Sequence, residues 1–186
     1  MTSRPNREEI LDSIQGNVQD KNTIRHMLAT EAIMRVLAKK LGEDEEEWGI
    51  TGLIHDIDIE LVEGDMSSHS KLGADIAHEL GASETMVHAI LCHNEAHGVP
   101  RETKLDKALF CADPLSGLIT AAALVRPDKL SGLATKSVAK RFREKSFAAG
   151  VNREQVAQCQ EIGLELEEFI NLGIEAMKEI ASDLGL

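Results

Sequence analysis

TIRHMLATEAIMRVLAKKLG, residues 23–42, spaces its apolar side chains three and four apart, the period of a helix with one buried face. Asn22 can cap its start and Gly42 can end it. His26 falls on that face, beside Ala29, Ile33, Val36 and Leu37. The composition around the stretch agrees with a helical reading: 42% hydrophobic, 28% charged and 3% aromatic, rich in Ala, Leu, Ile, Glu and Lys. An all-α fold is expected. The 186 residues suffice for one domain with a full core, and no linker divides them.

The next segments repeat the pattern of an ionisable group on an inward face. EDEEE, residues 43–47, suits the first turn of a helix that ends in GLIHDIDIE, residues 52–60, and carries Trp48, Gly52 and His55 on one side. Ser67 or Ser68 can cap a helix that begins at His69 and stops near Gly81; Ser83 caps another, with Met86, Ala89, Ile90, His93 and His97 on one side. In residues 104–125, Pro114 follows Asp113, which predicts a kink or break there. His88 and Cys92, at i and i+4, have a zinc-chelating spacing but leave the face of His93, and read as packing or surface groups. The C-terminal part reads as two amphipathic helices.

Charge and cysteine usage narrow the function. A formal net charge of -12 disfavours general binding to nucleic acid or anionic membranes, so a small anionic substrate needs a local basic patch. One basic stretch exists: Arg126, Lys129, Lys136, Lys140, Arg141, Arg143 and Lys145 face only Asp128 and Glu144. Cys92, Cys111 and Cys159 are odd in number and widely spaced, which argues against a disulfide framework. No apolar signal core or membrane-spanning run is read in the sequence, and a cytoplasmic location is expected.

His26, His55, Asp56, His69, His93 and Asp113 thus recur on or at the ends of successive helices. Imidazole and carboxylate suit divalent manganese, iron, cobalt, nickel or zinc. RHMLATEA (25–32), GLIHDID (52–58), SSHSKLGADIAHEL (67–80), AILCHNEA (89–96) and ALFCADPLSGLI (108–119) resemble, in order, the motifs of the HD metal-dependent phosphohydrolase superfamily, in its HDIG-type branch. Over nearly its whole length the chain is similar to a bacterial subgroup of predicted HD hydrolases.

The resemblance implies a single-domain helical HD fold with the metal site in the bundle core. Residues 21–120 would form the HD core, 1–20 an N-terminal helical extension, and 121–186 a C-terminal helical extension on the same domain. His26, His55, Asp56 and Asp113 would hold a first metal; His69 and His93 would hold a second, bridged by Asp56. Two divalent ions are expected, Fe or Mn, with Co, Ni, Zn or Mg as alternatives. The implied reaction is hydrolysis of a phosphate ester or anhydride in a small phosphorylated metabolite or nucleotide. Apart from the resemblance, Asp58 or Glu95, which closely follow candidate ligands, would manage a proton or orient a ligand, and the charge pattern offers Lys71, Arg126, Lys129 and Lys136 to hold the anion. Di-iron oxygenase chemistry of HD type, or a sensor module without turnover, are the competing readings. The chain departs from the HDIG pattern in carrying Asp58 at the glycine position and Ile59 where many relatives have a lysine.

Overall fold

The computed structural model describes residues 5–186, which contain ten α-helices and, among the described residues, no strand. Helix α1, Arg7–Asn17, opens with a capping box between Asn6 and Glu9 and buries Ile10 and Ile14 against α3. Residues 1–4 of the expected N-terminal extension lie outside the described residues.

Helix α2, Lys21–Leu41, is two residues longer at its start than a cap at Asn22 would allow, because the Asp20 side chain accepts from Asn22 N and is the cap. Gly42 ends it at φ 73°, the left-handed region where glycine carries no Cβ penalty. Helix α3, Glu45–Ile54, folds back on α2, with Asp44 accepting from two amides of its first turn. The two helices approach closely at Gly52: a Cβ there would come within 3.0 Å of Thr30 O and 3.1 Å of the Glu31 backbone. On α2, Glu31 is buried and ties α1 to that hairpin: it accepts from Arg7 at 2.7 and 2.9 Å and from Arg35 at 3.0 Å. Glu31→Ala should cost about 1–3 kcal/mol by removing the bidentate partner of Arg7, while Arg35 keeps Glu46 at 2.8 Å, measured by urea denaturation.

Helix α4, Lys71–Glu79, starts two residues later than His69, and neither Ser67 nor Ser68 caps it. Their hydroxyls donate to Asp65 instead, at 2.6 Å each. Ser70 stands at the cap position with φ 72°, and its own side chain makes no capping bond. Helix α5, Glu84–Cys92, is capped by Ser83 as expected and packs between α4 and α6.

Helix α6, Lys104–Leu124, is the central element, in contact with α2, α5 and the C-terminal helices. It runs unbroken through Pro114, so of the kink or break expected at Asp113 the break is absent; proline withdraws one amide donor and crowds the preceding turn, and packing on several sides holds the helix together. Its length and composition would allow it to cross a membrane, contrary to the reading of the sequence, but 61% of its most apolar window is buried as core. The C-terminal part holds α7, Thr135–Arg143, α8, Arg153–Ala157, α9, Leu166–Glu179 and α10, Ala181–Leu184, of which α7, α8 and α9 pack on α6, and α9 and α10 on α2. One continuous hydrophobic core joins Ile10 and Ile14 of α1 to Phe169, Ile174 and Met177 of α9.

Candidate metal centre

Four histidines from four different segments point their Nε2 atoms at two carboxylates. His26 comes from the second turn of α2, His55 from the residue after α3, His69 from the turn before α4, and His93 from the residue after α5. Neighbouring rings sit at 5.2 Å between centroids in the pairs His26–His55, His55–His93 and His69–His93. Asp56 Oδ1 lies 3.3 Å from His93 Nε2, 3.4 Å from His55 Nε2 and 3.5 Å from His69 Nε2; its Oδ2 lies 3.5 Å from His26 Nε2. Asp113 Oδ1 lies 3.1 Å from His26 Nε2 and 3.8 Å from His55 Nε2.

The other face of each ring decides what those Nε2 atoms carry. His55 Nδ1 is 2.8 Å from Gly52 O and His93 Nδ1 is 2.5 Å from Ile90 O; a carbonyl only accepts, so both rings hold their proton on Nδ1. His69 Nδ1 donates to Asp58 Oδ1 at 2.8 Å. Ser116 Oγ spends its own proton on Asp113 O, and so accepts from His26 Nδ1 at 2.9 Å. Each ring, when neutral, therefore presents an Nε2 lone pair to the carboxylates. Lone pairs facing lone pairs in a buried site require a proton or a metal cation between them. His55 Nε2 shows this most sharply: the residue is 0% exposed and the atom has no hydrogen-bond partner. A divalent ion fits this donor set, and two triads, His26–His55–Asp113 and His55–Asp56–His93, have ligand atoms within 4.8 Å of one another.

Without metal, protons must serve. Burial alone would lower the His26 imidazole, but Asp113 and Asp56 outweigh it and raise the group to about 10. Burial would raise the Asp56 carboxyl, yet His55, His26 and His93 hold it well below the usual carboxylate range. A histidine raised from 6.5 adds stability that is fully present below pH 6.5 and is lost as pH rises through about 10. The Tm of metal-free protein should accordingly fall by several degrees over that interval, at roughly 2–4 °C per kcal/mol, while metal-loaded protein stays flat. Parallel declines in a calorimetric comparison of the two forms would refute this.

Asp58 is fully buried and lies beneath His69. Its Oδ2 accepts from Ser70 N and Gly73 N, both at 2.8 Å, which supplies the cap that Ser70 lacks. A Cβ on Gly73 would lie 3.1 Å from that carboxylate, so the helix start and Asp58 fit against each other. Glu95 sits at the mouth and accepts from Gln155 Nε2 at 3.0 Å. Asn94 Nδ2 and His97 Nε2 both meet His69 O, at 3.1 and 2.6 Å.

Two cavities of about 330 Å³ reach the cluster. One exposes Asp56, His69, His93 and Asp113, rimmed by Ile59, Met66, Asn94, Glu95 and Gln155. The other touches His26 and is lined by Asn22, Arg25, Thr120, Leu124 and Leu186, among others. Of the basic side chains expected from the sequence to hold substrate, Lys71, Arg126, Lys129 and Lys136 line neither. Arg126 is bonded to Asp128 at 2.9 and 2.8 Å, and Lys129 Nζ donates to Gly185 O at 2.6 Å. Arg25 is the basic residue that does line a cavity at the cluster. Its place on a solvated stretch of α2, one residue before His26, gave no signal in the sequence.

Comparison with known proteins gives a consistent assignment. A family model described as "HD domain" matches residues 23–118. The chain is 29% identical over 152 residues to Ribonuclease Y of Oleidesulfovibrio alaskensis, covering 81% of this chain and 27% of that protein. It is 34% identical over 104 residues to Ribonuclease Y of Lawsonia intracellularis, covering 56% and 20%, and 28% identical over 173 residues to that of Sulfurovum sp., covering 88% and 32%. The chain thus spans about a fifth to a third of these relatives' length. No solved structure matches.

Proposed function

This chain belongs to the HD domain family, and on that premise we propose that it is a metal-dependent phosphohydrolase with a binuclear centre. The observation that carries the reading is the set of four Nε2 atoms converging on Asp56 and Asp113, each ring fixed by an Nδ1 hydrogen bond. His26, His55, Asp56 and Asp113 would hold one ion, and His69 and His93 a second, with Asp56 shared. Divalent metal supplies Lewis acidity toward phosphoryl oxygens and acidifies water toward neutral pH. Manganese, iron or cobalt suit the nitrogen and oxygen donors.

The chain's own residues divide the remaining work. Gly52 O, Ile90 O, Ser116 and Asp58 hold the four rings in one tautomer. Asp58, with three donors on a buried carboxylate, is a positioning residue rather than a proton carrier. Glu95, at the exposed mouth, is placed to pass a proton to a leaving oxygen. Arg25 is placed to meet an anionic substrate that reaches His26. Arg25→Ala should raise KM about tenfold, whereas joint alanine substitution of Arg126, Lys129 and Lys136 should leave KM and kcat unchanged in steady-state assays.

The substrate we favour is a small phosphorylated metabolite or nucleotide, since a net charge of -12 opposes approach of a long polyanion. A second reading, cleavage of an RNA phosphodiester, is favoured by the similarity to proteins named Ribonuclease Y. Metal-reloaded protein should be assayed anaerobically against nucleotides, sugar phosphates and an end-labelled single-stranded RNA. Phosphate release from a small ester supports the first reading; RNA fragments support the second. No turnover of any of them with manganese, iron or cobalt would overturn the hydrolase. Metal-dependent oxygen consumption would then point to the oxygenase alternative, and its absence to a binding module.

A further inference from the structure

A second group of metal-type ligands lies on the other side of α5. His88 and Cys92 are one turn apart on that helix and meet Asp106, in the first turn of α6; the three ligand atoms lie within 4.8 Å of one another. His88 Nδ1 is 3.1 Å from Asp106 Oδ2. Cys92 and Asp106 are both 0% exposed, whereas the His88 side chain is 32% exposed and gives the group an edge to solvent.

Helix capping accounts for part of this arrangement. Asp106 Oδ2 accepts from Glu102 N at 2.9 Å and Thr103 N at 2.8 Å, closing a capping box with Thr103. Capping leaves Asp106 Oδ1 buried with no partner, a position that costs stability unless a cation or donor meets it. Nor does it explain why a thiol and an imidazole converge there. The Cys92 thiol now turns to Ala89 O at 3.6 Å, its fallback acceptor within the helix.

We propose that His88, Cys92 and Asp106 bind one borderline-soft divalent ion of the zinc class, at a site that shares no residue with the His/Asp centre. Sulfur, nitrogen and carboxylate oxygen are the zinc donor set, and water at the exposed His88 edge completes four-coordination. The thiolate and Asp106 together balance the charge of the ion. Binding fixes α5 to the start of α6, and these two elements deliver His93 and Asp113 to the main centre. The site is thus a staple that sets the spacing of two ligands in the larger one.

The sulfur ligand makes the test specific, because the main centre offers only nitrogen and oxygen. The metal-free full chain is loaded with cobalt(II), and the near-ultraviolet thiolate-to-cobalt charge-transfer band is read alongside cobalt bound per chain. The band is expected in the wild type and in Asp56→Ala, and is expected to vanish in Cys92→Ala and in the closer-fitting Cys92→Ser, with one equivalent of cobalt fewer. Circular dichroism identifies which variants are folded. Absence of the band in the cobalt-loaded wild type, or its persistence in a folded Cys92 variant, overturns the site. Failure of the main centre instead shows in the stoichiometry of wild type against Asp56→Ala, with the band unaffected.

Discussion

Asp56→Ala should lower kcat for phosphate-ester hydrolysis by about a thousandfold or more, the ~4 kcal/mol of transition-state stabilisation that a metal-site electrostatic contact supplies. Asp56 is the one carboxylate within 3.3–3.5 Å of all four Nε2 atoms, so its removal leaves each imidazole without its shared counterion. In the proposed binuclear arrangement it would help to hold both ions. KM should change far less than kcat, because in that proposal Asp56 would act on the reacting centre rather than on the remainder of the substrate. The fold should survive, since the side chain packs against rings fixed independently by Gly52 O, Ile90 O, Asp58 and Ser116. Steady-state kinetics with circular dichroism on the same sample checks both halves. Retention of a tenth or more of the activity would contradict the assignment.

Asp58→Asn should weaken metal binding about 10- to 100-fold and cost about 2–3 kcal/mol of stability. The native carboxylate accepts from three donors: His69 Nδ1, Ser70 N and Gly73 N. Asparagine is nearly the same shape but presents one amide edge as a donor, which must face either the imidazole N–H or the α4 amides. If the amide oxygen turns to the helix, His69 loses its tautomer lock and its Nε2 lone pair is no longer fixed toward Asp56. If it turns to His69, the start of α4 loses the cap that Ser70 does not provide. Competition with a fluorescent chelator measures the first cost and urea denaturation the second. A variant with both values unchanged would show that Asp58 is merely buried.

The helical fold and the His/Asp cluster were largely legible because they rest on local signals. The apolar period of residues 23–42, the acidic start of α3 and the Ser83 cap each act within one or two turns, and each appears where expected. The ordered histidines and aspartates were legible as a set, and the structure brings His26, His55, Asp56, His69, His93 and Asp113 together. What escaped depends on contacts distant in sequence. Asp58 reads as a departure from a glycine until α4 is seen to begin over it, 12 to 15 residues on. Asp106 gave no sign in sequence of meeting His88 and Cys92, because the pairing is made only when α5 and α6 dock. Pro114 suggested a break because a lone helix would suffer one, whereas α6 is held by neighbours along its length. The basic stretch from 126 to 145 was judged by charge alone, and Arg126 and Lys129 turn out to be engaged with Asp128 and Gly185.

The central claim is that the four imidazoles and two carboxylates converge in order to hold metal. Elemental analysis tests it most directly, on protein purified without chelator or nickel affinity and again after anaerobic reloading with manganese, which disfavours the thiol-containing group. The account predicts about two manganese ions per chain in the wild type and loss of both in Asp56→Ala. No retained manganese in the reloaded wild type, or the same amount in Asp56→Ala, would contradict it.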